Sequence, residues 1–135
     1  MSHSISSQTP ISQLPAYAMP MGRVLMAVIF IMAGLGKFMD PASSQGYMSA
    51  FGVPTFLLWP AAVLELLGGV FILLGFQTRI TALLLAGFTV LAALIFHTDF
   101  ANQVETIMFM KNLAITGGLL FLMAHGPGAL SLDKR

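Results

Sequence analysis

The chain has 135 residues, 57% of them hydrophobic and 8% charged, with six Lys or Arg against five Asp or Glu and a formal charge of +1. That length suits one domain, the composition lies outside the range of ordinary soluble proteins, and the lack of any basic run excludes a nucleic-acid footprint or a polybasic lipid-binding tail. There is no cysteine, which excludes disulfides, a thiolate nucleophile, a CxxC redox pair and an iron–sulfur cluster held by the chain's own thiols.

In chain order, residues 1–19 are rich in Ser, Gln and Pro and carry His3 but no Lys or Arg. This is not the positive n-region and short apolar core of a secretory signal, so the expectation is a flexible polar tail ahead of a retained helix. Four segments then reach the roughly 20 apolar residues that a bilayer core of about 30 Å demands. They are Pro20–Met39, Thr55–Leu74, Arg79–Phe96 and Thr106–Ala124. Lipid offers the backbone no hydrogen-bond partners, which selects helices. The fold predicted over residues 20–126 is therefore an all-α, integral membrane four-helix bundle with short loops, followed by a short tail over 127–135. Its principal partner is the lipid bilayer.

The connections refine this picture. Gly75 to Thr78 is short enough to force an antiparallel hairpin, with Gly75 suited to a left-handed cap. The longer stretch Asp40–Pro54 carries Tyr47, Met48 and Phe51 among Ser, Gln and Gly, which suits an interfacial segment between helices 1 and 2, placed as a lid over one mouth of the bundle. The segment His97–Glu105 is polar, and Gly126-Pro127-Gly128 stops the last helix. By the positive-inside rule both termini are cytoplasmic: Arg23, Arg79, Lys134 and Arg135 then lie inside, leaving only Lys37 and Lys111 toward the outer side.

Charges within membrane spans are costly and usually face protein or water. Glu65, near the middle of the second span, has Ala61 and Gly68 on its own face, where another helix can pack closely. The other spans repeat the pattern. Arg23, Ala27, Gly34 and Lys37 share a stripe on the first; Ala82, Ala86, Thr89, Ala93 and His97 on the third; Lys111, Ala114 and Gly118 on the fourth. At 1.5 Å of rise per residue, Lys37, His97 and Lys111 fall in the outer part and Glu65 about midway, converging on one polar pocket. Two readings stay open. In the first, Glu65 pairs with Lys37 or Lys111 and the network only fixes helix register. In the second, Glu65 and His97 are catalytic, exchanging protons with a bound quinone or other small redox-active ligand, while Lys37, Lys111, Asn112 and Arg23 bind and orient it.

Other signals carry less. Gly34-Leu35-Gly36-Lys37 lacks the first glycine and the strand–loop–helix setting of a phosphate-binding loop. His97, Asp99 and Glu105 match no common metal-ligand spacing, so no metal is assigned. The ten methionines and many phenylalanines read as lipid-facing packing, and Tyr17 and Trp59 as interfacial anchors.

The ordered set Arg23, Gly34-Leu35-Gly36-Lys37-Phe38, Glu65-Leu66-Leu67-Gly68-Gly69, Gly75-Phe76-Gln77-Thr78-Arg79, His97, Phe109-Met110-Lys111-Asn112-Leu113 and Gly117-Gly118 resembles the DoxX family of small bacterial inner-membrane proteins, from about Met21 to Leu132. The resemblance implies a four-helix inner-membrane protein. The family is named for a subunit associated with thiosulfate:quinone oxidoreductase, so the resemblance also implies quinone as a cofactor and a redox partner protein. The alternative is a non-enzymatic carrier or structural subunit of a membrane complex; a carrier built from one four-helix chain without a repeat would need a homo-oligomer to form a path.

Overall fold

The computed structural model describes residues 10–133. They form five α-helices and no strand: α1 (Pro10–Met39), α2 (Pro41–Ala50), α3 (Leu58–Leu74), α4 (Thr78–Phe96) and α5 (Gln103–His125), with a single 3-10 turn, Thr55–Leu57, leading into α3. Four of these elements are long and apolar enough to cross a bilayer, over Ala16–Met39, Thr55–Leu74, Thr78–Phe96 and Gln103–His125. The architecture is the expected four-helix membrane bundle.

The start of α1 differs from the sequence expectation. Of the polar tail placed at residues 1–19, the first nine lie outside the described residues, whereas residues 10–19 are helical and continuous with the span. The Ser, Gln and Pro residues ahead of the apolar run read as a polar tail. A membrane helix tolerates proline in its interior, and here it continues through Pro15 and Pro20. The start of α5 was placed three residues late, because Asn102 is the true cap: its side-chain oxygen accepts from the backbone N–H groups of Val104 and Glu105 at 2.9 and 3.3 Å.

Helix α1 packs along α3, and α4 along α5, while α3 and α4 form the hairpin. Gly75 takes φ 67° at the end of α3, and the amides of Gly75 and Phe76 bond back to Ile72 and Phe71. A side chain at Gly75 would also run into Arg23 Nη1. The connection between α1 and α3 is built around the short helix α2. Asp40 caps α2 by accepting from Ser43 N–H at 3.2 Å, and Pro41 sits in its first turn.

The two halves of the bundle are unlike. Toward the termini, Ala27, Ile72, Ala82, Leu85 and Leu119 are fully buried in one cluster joined by Phe30, Ala86 and Leu122. Small residues bring the four helices together here, and the apolar residues of the outer faces, such as Leu25, Met32, Leu83 and Phe121, are exposed toward lipid. No backbone contact joins α1 to α4 anywhere along their length, and toward α2 the space between the helix pairs opens into a cavity. The helices stand apart in that half, and the polar residues face the space between them.

The terminal end is closed by arginine. Arg23, 2% exposed, donates through Nη1 to Leu73 O (3.0 Å) and through Nη2 to Ala129 O and Leu130 O (2.6 and 2.8 Å). The segment after α5 folds back, with Leu132 N–H and Asp133 N–H donating to Leu74 O and Gly75 O. Arg79 donates to Ala124 O at 2.9 Å at the carbonyl end of α5, where a cation is favoured by the helix dipole. Asp133 in turn accepts from Gln77 N–H (2.7 Å) and Thr78 N–H (2.9 Å), capping α4. Desolvation pushes the Asp133 pKa up, but the hydrogen bonds from Thr78 and Gln77 and the nearby Arg23 charge outweigh it and hold the group below its ordinary value.

Candidate functional site

The space in the distal half is a cavity of about 760 Å³. Its walls are mostly apolar, with Phe30 and Ala33 of α1, Leu64 of α3, Phe88 and Ala92 of α4 and Ile115 of α5. Its polar groups include five that the sequence singled out: Lys37, Glu65, His97, Lys111 and Asn112 all line it. A mostly apolar cleft with a few convergent polar groups is the usual form of a small-molecule site.

Each polar group is placed by its helix. Glu65, at 5% exposure, projects from the middle of α3 toward α1, and Lys37 reaches it from the last turn of α1. Lys37 Nζ lies 2.5 Å from Glu65 Oε1, an ion pair at hydrogen-bonding distance. The pairing of Glu65 that the sequence left between Lys37 and Lys111 therefore goes to Lys37. The Lys37 side chain remains a quarter exposed, against 6% for Glu65, so the pair is buried on its acidic side and open on its basic side.

Asn112 ties α5 to α4. Its Nδ2 donates to Thr89 O at 3.2 Å, while the Thr89 hydroxyl bonds back to Leu85 O at 2.7 Å within its own helix. Both Asn112 and Thr89 are buried. His97, the C-terminal cap of α4, meets Glu105 in the first turn of α5, with Nδ1 2.8 Å from Glu105 Oε2. A carboxylate only accepts, so beside an ionised Glu105 it is Nδ1–H that donates in this contact. Both side chains are partly exposed, 19% and 28%, at the rim of the cavity.

Helix α2 covers this rim. Tyr47 stacks on Phe96 with ring centroids 5.2 Å apart, and Phe51 meets the same ring edge-on at 5.1 Å. Ser43, Ser44 and Tyr47 join the cavity lining. Burial raises the Tyr47 pKa, and the negative charge of Glu105 raises it further, so its phenol stays protonated. Trp59 lies at the same end, tilted against Phe38 at 6.0 Å.

The structure does not bring Arg23 to this site. It lies 14 residues before Lys37 on α1, about 21 Å along the axis, and its guanidinium bonds the backbone carbonyls at the terminal end. The sequence grouped it with the ligand-binding residues because it shares a helix stripe with Lys37, and a stripe reports a face but not a depth. Sequence reasoning also passed over Ser43, Ser44, Thr89 and Glu105 as lining or supporting groups. Tyr47 and Phe51, spaced four apart, were the available sign that α2 has an aromatic face to dock.

Among families of known proteins, the DoxX model matches residues 18–98. The chain is similar to the inner membrane protein YqjF of Escherichia coli (strain K12), at 54% identity over 83% of this chain and 86% of that protein. It is 38% identical to the inner membrane protein YphA of the same organism, over 84% of this chain and 86% of that one. A Bacillus subtilis (strain 168) protein named "Putative oxidoreductase CatD" is 36% identical over 70% of this chain and 75% of its own length. No solved structure gives a significant match.

Proposed function

The chain belongs to the DoxX family of inner membrane proteins, and from that premise we propose that its distal cavity binds a lipid-soluble quinone and exchanges protons with it, as a subunit of a redox system. The observation that carries this reading is the buried Lys37–Glu65 pair at the wall of a roughly 760 Å³ apolar cavity. A quinone offers an apolar body and two carbonyl oxygens, and its reduction takes two electrons and two protons. Glu65 is the proton-handling group beside the ligand, and His97, paired to Glu105 at the rim, relays protons to the aqueous side. Lys37, Lys111 and Asn112 position the carbonyl oxygens. Electrons are assigned to a partner redox protein, since a chain without cysteine has no thiol pair of its own to supply them. A relative named as a putative oxidoreductase supports the same direction. With both termini cytoplasmic, as the distribution of Lys and Arg favours, the cavity faces the outer side.

A carrier needs a path through the whole bundle, and the half toward the termini is filled by Ala27, Ile72, Ala82, Leu85 and Leu119, all fully buried. The redox reading needs access from one side only. The test is decylubiquinone binding to the purified protein in lipid nanodiscs, with quinol-dependent electron flow in native membranes, for wild type and Glu65→Gln. The expected result is at least a tenfold loss of electron flow together with weakened binding; unchanged binding and flow would overturn the reading.

A further inference from the structure

The cavity's charges do not balance. Lys37 is paired with Glu65, and His97 with Glu105. Lys111 also lines the cavity and has no carboxylate within ion-pair distance among the described residues; its polar contact is the thioether of Met108, 3.3 Å away and one turn back on its own helix. A thioether is a weak acceptor and a poor partner for an ammonium. Lys111 is the ninth residue of α5, about 12 Å along the helix from its start, and its side chain is exposed rather than packed away, so the ammonium is open to a ligand in the cavity that it lines. Beside it, Asn112 donates one of its two amide hydrogens to Thr89 O, which fixes the orientation of the amide.

We propose that Lys111 is an anion subsite and that the cavity takes an apolar molecule carrying a single acidic group, such as a carboxylate or phosphate, whose charge complements the unpaired ammonium. The apolar body lies among Phe30, Leu64, Phe88 and Ile115. This rests on the cavity used in the preceding reading but not on its redox chemistry. The acidic group has two sources, a free amphipathic acid or the headgroup of an anionic phospholipid, and each has the same chemistry at Lys111.

Calorimetric titration of the protein in neutral micelles, with empty micelles as reference, compares dodecanoate with dodecanol, which differ only in the head. Wild type is expected to bind dodecanoate at least tenfold more tightly. Lys111→Gln should erase that difference and Lys111→Arg preserve it, a comparison that separates loss of charge from loss of fold. Native mass spectrometry from nanodiscs of mixed phosphatidylcholine and phosphatidylglycerol supplies the second arm. Phosphatidylglycerol retained by wild type and not by Lys111→Gln assigns the acid to a lipid headgroup; dodecanoate preference without such retention assigns it to a free acid. Equal affinities for dodecanoate and dodecanol, together with lipid retention indifferent to Lys111, overturn the proposal. Decylubiquinone is uncharged and reports the preceding reading separately. Its binding without a Lys111-dependent acid preference defeats only the anion subsite, and the reverse pattern defeats only the quinone.

Discussion

Two glycines of α1, two residues apart, should respond oppositely to the same added methyl group. A Cβ built at Gly34 falls 2.7 Å from Leu66 N, 2.9 Å from Leu66 Cβ and 3.0 Å from Leu66 Cα. Ordinary contact begins near 3.4 Å, so the shortfall is 3.4 − 2.7, or 0.7 Å. The obstructing atoms are mostly backbone, which has no rotamer to turn aside, so α3 itself must retreat from α1. Overpacking of this kind costs about 1–3 kcal/mol. At Gly36 nothing lies within 4 Å, and alanine there should stabilise the helix by about 0.5–1 kcal/mol. The expected gap between Gly34→Ala and Gly36→Ala is therefore about 1.5–4 kcal/mol. Reversible unfolding in mixed dodecylmaltoside and SDS micelles, followed by circular dichroism, measures it. Glu65 is the residue immediately before Leu66, so Gly34→Ala should also disturb the Lys37–Glu65 contact and weaken decylubiquinone binding, whereas Gly36→Ala leaves binding intact. Equal stability of the two variants would refute the close approach of α1 and α3 on which the site's geometry rests.

Further outcomes follow from the polar contacts. Lys37→Met leaves the Glu65 carboxylate without its partner and should destabilise by about 3 kcal/mol, the lower end of the range for a broken buried pair because Lys37 is itself a quarter exposed. The double variant Lys37→Met/Glu65→Leu should recover most of that loss in the same unfolding assay, and failure to recover would argue that the two residues are not coupled. Arg23→Lys keeps the charge but loses the fork that joins Leu73 O to Ala129 O and Leu130 O, so a loss of about 1.5–3 kcal/mol is expected, seen as early proteolysis of the segment after α5. The depressed pKa of Asp133 fixes the sign of a pH effect. A carboxyl bound more tightly as its anion contributes its stabilisation above its ordinary pKa and loses it as pH falls through the lower folded value. Melting temperature should therefore decline below the ordinary carboxylate range, and Asp133→Asn should remove that part of the decline.

Length and apolarity, read against bilayer thickness, carried most of the fold. The second span, 3-10 turn included, matched its expected bounds and α4 began one residue earlier than expected, because Gly75 and the polar residues around it interrupt the pattern sharply. The start of α1 was misplaced because polar residues and prolines ahead of the apolar run read as a tail, although the helix continues through residues 10–19. For the site, the cost of charge in lipid made Lys37, Glu65, His97 and Lys111 conspicuous, and the cavity includes all four. Arg23 obeys the same rule in a different way, finding partners in backbone carbonyls at a chain reversal, which no side-chain pattern announces. The division of the bundle into a packed half and an open half was also not legible. It depends on how two helix pairs diverge, and small residues occur in both halves, including Ala33, Ala61 and Ala92 beside the cavity.

The central claim is that a ligand cavity opens in the distal half while the other half is solid. Because the native chain has no cysteine, single thiols placed in it report accessibility without background. Ala61→Cys and Ala92→Cys line the cavity, and Ala82→Cys lies at 0% exposure in the packed half. With a small methanethiosulfonate reagent in nanodiscs, the first two should label and decylubiquinone should slow them, while the third stays unmodified. Labelling of Ala82→Cys at the same rate, or no protection of the cavity positions by decylubiquinone, would contradict the account.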